Sequence, residues 1–292
     1  MVMSGYFFYD IYQIKTDRSH FGGYLLLFFT VCVMPLARSQ SNIGSDTMSA
    51  FSPMSYSGYK LLWHDEFTAT QIDTSIWGYD LGGNGWGNNE LEYYTNSPNN
   101  SYISNGMLVI EARKEKMGGR DYTSARMLTQ RKKEFTYGRI DMRAKIPTLP
   151  GMWPALWMLG ANIDTLPWPF CGETDIMEVV GKDPWKLYGT LHFADSLGHH
   201  QQSGGTIQYE EDFSKRFHVY SLNWTPTKIE WLLDGKVVYS ADISKVKNHA
   251  FNKPSFVLFD LAVGGDFPGS ANITSAFPQR MLVDYIRVFQ KE

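Results

Sequence analysis

Glu173-Thr174-Asp175-Ile176-Met177-Glu178 sets three carboxylates into six residues of a run that continues as Val179-Val180-Gly181. Such a run reads as a buried strand, where ionisable groups are unfavourable unless they are paired or put to use. Strand alternation places Glu173 and Asp175 on one face and sends Glu178 to the other. Two carboxyl groups on opposite faces cannot attack one bond. We therefore expect a β-bulge near Ile176 and Met177, because one extra residue flips the alternation and returns Glu178 to the side of the other two. So arranged, Glu173 and Glu178 have the makings of the two carboxyl groups of a retaining glycosidase, which stand about 5 Å apart. Asp175 between them would hold the nucleophile and separate the two glutamate pKa values. Spacing alone does not say which glutamate attacks, and an acidic strand edge or a calcium site would use the same residue types.

The elements that must position these acids read as strands. Met107–Ala112, Arg139–Ile146, Ile176–Val180, Phe217–Trp224, Lys228–Leu233, Lys236–Tyr239, Ser255–Val263 and Met281–Phe289 are short β-type runs separated by turn residues. Asp234-Gly235 is a hairpin signal, since both residues tolerate positive φ. No sustained helical period occurs from 58 to 292. The expectation is all-β, a sandwich of two antiparallel sheets. Alternation in Met281–Phe289 puts Asp284 on one face with Leu282 and Ile286 unless a bulge intervenes.

Residues 1–39 read as a secretory leader: Lys15 and Arg18 precede an apolar stretch, Tyr24 to Ala37, and Ala37-Arg38-Ser39 offers a cleavage site. An uncleaved membrane anchor is the alternative. Residues 40–57, rich in Ser, Gly and Met without period, read as a flexible tether. The remaining part, 58–292, is enough for one large β domain. With a formal net charge of −3, the chain is a poor partner for nucleic acid or an anionic membrane. Cys171 is the one cysteine beyond the leader and reads as a core residue. Aromatic residues make up 15% of the chain, with 9 Trp and 17 Tyr, which suits a cleft that stacks sugar rings. No His/Cys pattern supports zinc. Asn272-Ile273-Thr274 is a glycosylation triplet of consequence only in a glycosylating host.

From 58 to 290 the chain closely resembles glycoside hydrolase family 16, in its laminarinase-like branch with a bulged catalytic strand. The resemblance is carried by Glu173–Glu178 together with Leu62-Trp63-His64-Asp65-Glu66-Phe67, Gly85-Trp86-Gly87-Asn88-Asn89-Glu90-Leu91-Glu92-Tyr93-Tyr94-Thr95, Tyr122–Arg126, Tyr137-Gly138-Arg139, Trp153–Gly160, Thr190-Leu191-His192, Leu261–Gly265, Pro268-Gly269 and Asp284–Val288. It implies a β-jelly-roll with an open cleft on its concave sheet, cutting internal β-glycosidic bonds with retention, and no cofactor for catalysis. By the same resemblance Glu173 is the nucleophile, Asp175 the assisting acid and Glu178 the acid/base. His192 faces the cleft, Trp153 and Trp157 line it, Asn88 and Arg126 bind sugar hydroxyls before the scissile bond, and Trp168 is a further stacking platform. Glu66, the Gly106 carbonyl and Asp284 could hold a structural calcium. Thr174, Asp260 and Phe267 depart from the usual pattern; Thr174 should point away from the cleft, and the other two should lie near its rim. The implied activity is a secreted, monomeric endo-β-1,3-glucanase on laminarin-type glucan. Mixed-linkage β-1,3/1,4-glucan is the alternative substrate, with a red-algal galactanase or a non-catalytic glucan-binding protein further off.

Overall fold

Alternating side chains build this molecule. In the computed structural model, which describes residues 50–246, 250–270, 273 and 276–292, there is no helix among the described residues. The expected leader, residues 40–49 of the expected tether, and Asn272 and Thr274 of the glycosylation triplet lie outside them. The first antiparallel sheet holds β1 (Tyr59–Asp65), β4 (Ser101–Ser104), β5 (Met107–Ala112), β9 (Gly138–Lys145), β14 (His218–Trp224), β15 (Lys228–Leu233), β16 (Lys236–Asp242) and β18 (Gln279–Lys291). The second holds β2 (Gly78–Asp80), β7 (Arg126–Leu128), β8 (Glu134–Phe135), β10 (Met152–Gly160), β11 (Glu173–Glu178), β12 (Lys186–Ala194), β13 (His200–Gln208) and β17 (Ser255–Val263). A parallel pair, β3 (Glu92–Tyr94) and β6 (Tyr122–Ser124), completes the β-jelly-roll.

Strand parity decides what is core and what is cleft. In β10, Met152, Leu156 and Met158 join the main core between the sheets, whereas Trp153, Ala155 and Trp157 belong to clusters on the opposite face. In β17, Val257, Phe259, Leu261 and Val263 enter the core, and Leu258 and Ala262 face the other way. One face of these central strands packs in the core and the other carries buried side chains of the cleft floor, so they read as long apolar runs, broken in β17 by Asp260. The Asp234-Gly235 hairpin joins β15 to β16 with φ of 50° and 79° at the two residues. A bulge does intervene at Asp284, where the β9–β18 register shifts between Val283 and Tyr285.

Within the segment 40–57, expected to be a tether, residues from Ala50 on are docked against the first sheet. Arg143 Nε donates to the Ala50 carbonyl at 2.8 Å and its guanidinium lies 3.8 Å from the Phe51 ring. Ser52 N donates to Tyr285 Oη at 2.7 Å, and Tyr56 Oη donates to the buried Asp141 at 2.7 Å beneath Arg139. Aromatic rings that cover guanidinium groups gain cation–π attraction, a contact that Ser/Gly content does not reveal.

Candidate active site

β11 lies between β10 and β12, and its register breaks where the acids need it to. Trp157 pairs with Asp175 and Leu156 with Met177, leaving Ile176 without a partner on β10. On the other side Asp175 pairs with Thr190 and Glu178 with Tyr188, so Ile176 and Met177 together oppose Gly189. Both residues turn into the core. Glu173, Asp175 and Glu178 consequently share one face, as the sequence required. The bulge frees the Asp175 carbonyl, which accepts the indole N–H of Trp231 at 2.8 Å. That indole occupies the space where a side chain on Gly189 would stand, 2.6 Å from an added Cβ.

The three carboxyl groups line an open cleft of about 970 Å³. Asp175 and Glu178 are buried, and Glu173 keeps 20% of its side chain exposed. Burial first, then the charge of Asp175, pushes Glu173 up to about 8, against the pull of His192, Arg126 and a hydrogen bond from Trp168. Burial likewise raises Asp175 to about 8, while hydrogen bonding with Glu173 works the other way. Glu178 is held well above the usual carboxylate range by burial and then by Asp175 and Glu173, with the Trp153 indole opposing. Trp153 Nε1 donates to Glu178 Oε1 at 3.0 Å. His192 Nε2 stands 3.2 Å from Asp175 Oδ2 and 3.9 Å from Glu173 Oε1. Glu173, Asp175 and His192 are also the one acid/histidine group among the described residues compact enough to grip a metal ion, within 4.8 Å. At these distances the same three groups can also share protons.

The other expected residues meet in the same cleft: Asn88, Arg126, Trp153, Trp157, Trp168 and His192 all line it. Arg126 is clamped between the rings of Trp86 and Trp157, at 4.8 and 4.7 Å, and its Nε lies 3.0 Å from Asp80. Asn88 donates to Glu90 at 3.2 Å. Thr174 is buried with the opposite parity to the acids and does not line the cleft. Phe267 lies in the cleft wall against Trp153 and Tyr188. Asp260 is a correction: it is not at the rim but 6% exposed on the floor, paired with Ala155 and accepting the Trp157 indole N–H at 2.6 Å. Strand parity on β17, opposite Ala155, puts it there.

Residues 88–287 match the family described as Glycosyl hydrolases family 16. The chain belongs to that family. It is similar to the β-glucanase of Rhodothermus marinus, 39% identical over 247 residues that take in 80% of this chain and 85% of that protein. It is similar to glucan endo-1,3-β-glucosidase A1 of Niallia circulans, 38% identical over 277 residues, covering 86% of this chain and 40% of that longer one. Among solved structures, the laminarinase catalytic domain from Thermotoga maritima superposes with a TM-score of 0.74 at 42% identity, covering 80% of this chain and 99% of that one.

This family 16 chain also has cleft residues that sequence reading passed over. Tyr188 and Thr190 line the cleft with His192, and their even spacing along β12 is a signal that could have found them. Trp86 and Glu90 line the cleft too, from the Gly85–Thr95 segment that also carries Asn88. His200 reaches the cleft through a hairpin whose register no local pattern announces.

The residues expected to hold calcium converge in the backbone. β1 and β5 share one edge of β18, with Asp65 opposite Ile286 and Leu108 opposite Val283, which brings Glu66 and Gly106 beside the bulged Asp284. The two carboxylates already hold guanidinium groups. Arg287 grips Glu66 with two bonds of 2.8 and 2.7 Å, and Arg143 bonds Asp284 at 2.7 Å.

Proposed function

We propose that the chain is a retaining endo-β-1,3-glucanase of laminarin-type glucans, with its catalytic domain over 58–292. The observation that carries the reading is the β11 bulge, which gathers Glu173, Asp175 and Glu178 on the face of an open, aromatic-lined cleft. An open cleft suits attack within a polymer, and the names of the similar glucanases supply the linkage. Glu173 attacks the anomeric carbon while Glu178 gives its proton to the departing glycosidic oxygen. Glu178, now ionised, takes a proton from water as that water attacks the anomeric carbon and releases Glu173. Asp175 shares its proton with Glu173 and keeps the nucleophile oriented. Trp153, Trp157 and Trp168 offer faces and edges to sugar rings, and Asn88 and Arg126 offer polar contacts on the side of the cleft toward β2.

Incubation with laminarin and with mixed-linkage glucan, beside a Glu173→Gln control, tests this. A ladder of short oligosaccharides from laminarin, absent in the control, is expected; faster cleavage of the mixed polymer would move the assignment to β-1,3/1,4-glucan, and no cleavage of either would overturn it.

We also propose export through the leader at 1–39 and action as a monomer, since one chain supplies every cleft residue; N-terminal sequencing of the released product and light scattering test these. Calcium at Glu66, Gly106 and Asp284 is a third proposal, supported by the oxygen donor set. The ion would have to draw Glu66 and Asp284 away from their arginines. Calcium should raise the Tm of the wild type but not of Asp284→Asn.

A further inference from the structure

His192 faces the carboxylates through one ring nitrogen, and its other nitrogen is engaged as well. Its Nδ1 lies 2.9 Å from Nε2 of His200. The β12–β13 register creates this pair: Ala194 stands opposite His200 and His192 opposite Gln202, so the two histidines are diagonal neighbours on the cleft face. The connecting turn is fixed by Asp195, whose carboxylate accepts the N–H groups of Leu197 and His199 at 2.8 and 2.9 Å. The His200 ring rests against Trp168, with centroids 4.7 Å apart.

Two neutral imidazoles that face each other through ring nitrogens share a single proton. With that proton on His200, Nδ1 of His192 accepts, and the proton of His192 must sit on Nε2, facing Asp175 and Glu173. With it on His192 Nδ1, a bare Nε2 lone pair faces the two carboxyl groups. Oδ2 of Asp175 is a buried oxygen with no hydrogen-bond partner among the described residues, 3.2 Å from that nitrogen. With the proton of the carboxyl pair held between Asp175 and Glu173, Oδ2 presents lone pairs alone, so a donor there is attractive and a lone pair repulsive, which selects the first arrangement.

We propose that His200 is a positioning residue: by donating its Nε2–H to His192 Nδ1, it fixes His192 as the Nε2–H tautomer and presents a donor to the Glu173–Asp175 pair. The consequence for turnover rests on the reading of Glu173 as nucleophile. A donor aimed at that side of the cleft favours the carboxylate that departs when the glycosyl-enzyme is hydrolysed, so its effect falls on kcat more than on KM.

His200 is exposed on an edge strand, so its replacement should leave folding intact. The test compares wild type, His200→Met and His200→Gln by 15N imidazole NMR of His192 and by kinetics on laminarin. Gln can place an amide N–H where Nε2 was, and Met cannot donate. Wild type and His200→Gln should show His192 protonated at Nε2, and His200→Met a mixture of tautomers. His200→Met should lose kcat up to about tenfold, as expected for one hydrogen bond, with little change in KM, and His200→Gln should recover most of it. A His192 proton on Nδ1 in the wild type, or an unchanged tautomer in His200→Met, would overturn the proposal. Absence of glucan cleavage by the wild type would instead strike the catalytic reading, leaving the NMR result to decide the tautomer.

Discussion

Trp153 and Glu178 are joined side chain to side chain, the indole N–H donating to Oε1 across 3.0 Å. The bond stabilises the ionised form of Glu178 and opposes the burial that raises its pKa. Trp153→Phe keeps the ring and removes the donor. Glu178 then titrates higher, so the alkaline limb of the kcat/KM profile should move to higher pH, with a loss of about tenfold near neutrality. A limb that stayed in place would disconnect Glu178 from that ionisation.

Asp175 raises both glutamates by its charge. In Asp175→Asn each should ionise more readily, moving the acid and alkaline limbs together toward lower pH. Activity should fall at least tenfold, because the nucleophile loses the partner with which it shares a proton. A profile of unchanged position, measured on a soluble oligosaccharide, would refute the coupling.

Glu173 is held at about 8 in the folded chain by burial and Asp175, against about 4.3 when unfolded. Between those values the native state keeps a proton that the unfolded chain has lost. Stability present below about pH 4 is therefore given up as pH rises through about 8. Glu173→Gln removes that dependence. Its Tm should exceed the wild-type value at alkaline pH, by about 2–4 °C for each kcal/mol relieved, and the excess should shrink toward about pH 5. Scanning calorimetry at both pH values would show it; equal differences would contradict it.

Gly189 leaves room for Trp231, whose indole satisfies the carbonyl freed by the bulge. Gly189→Ala would press a methyl group into that indole and should cost about 1–3 kcal/mol. Trp231→Phe, which leaves the carbonyl unpaired, should cost about 3 kcal/mol, part of it from the lost ring volume. Denaturant midpoints at constant m-value are the check, and both variants should lose activity because the two segments of β11 are no longer held in phase.

Tyr56 bonds Asp141 and lies under Arg139, far in sequence from the cleft strands. Tyr56→Phe should lower stability by about 1 kcal/mol while leaving kcat and KM unchanged. Thermal melting beside laminarin kinetics separates the two effects.

Much of this was legible in the chain. Met107–Ala112, Lys228–Leu233 and Ser255–Val263 begin and end as strands where their composition says they should. The bulge could be inferred because chemistry demanded one face for three acids whose spacing forbids it. Other features depend on partners distant in sequence. The docking of Phe51, Ser52 and Tyr56 is set by arginines 83 to 235 residues away. The floor position of Asp260 follows from its pairing with Ala155, and the meeting of His192 with His200 from the length of a hairpin turn. Local patterns specify which way a side chain points, not which strand lies beside it.

In β11, a residue count and a backbone irregularity are matched to each other. Two intervening residues separate Asp175 from Glu178, an even number, and Ile176 has no partner on β10. Deleting one of the two would leave Glu173, Asp175 and the last glutamate on alternate positions of a regular strand, still on one face. Smoothing the bulge while keeping all six residues would turn that glutamate into the core. The constraint on this strand is therefore one of parity: the number of residues between its acids can change by one only if the bulge appears or disappears with it.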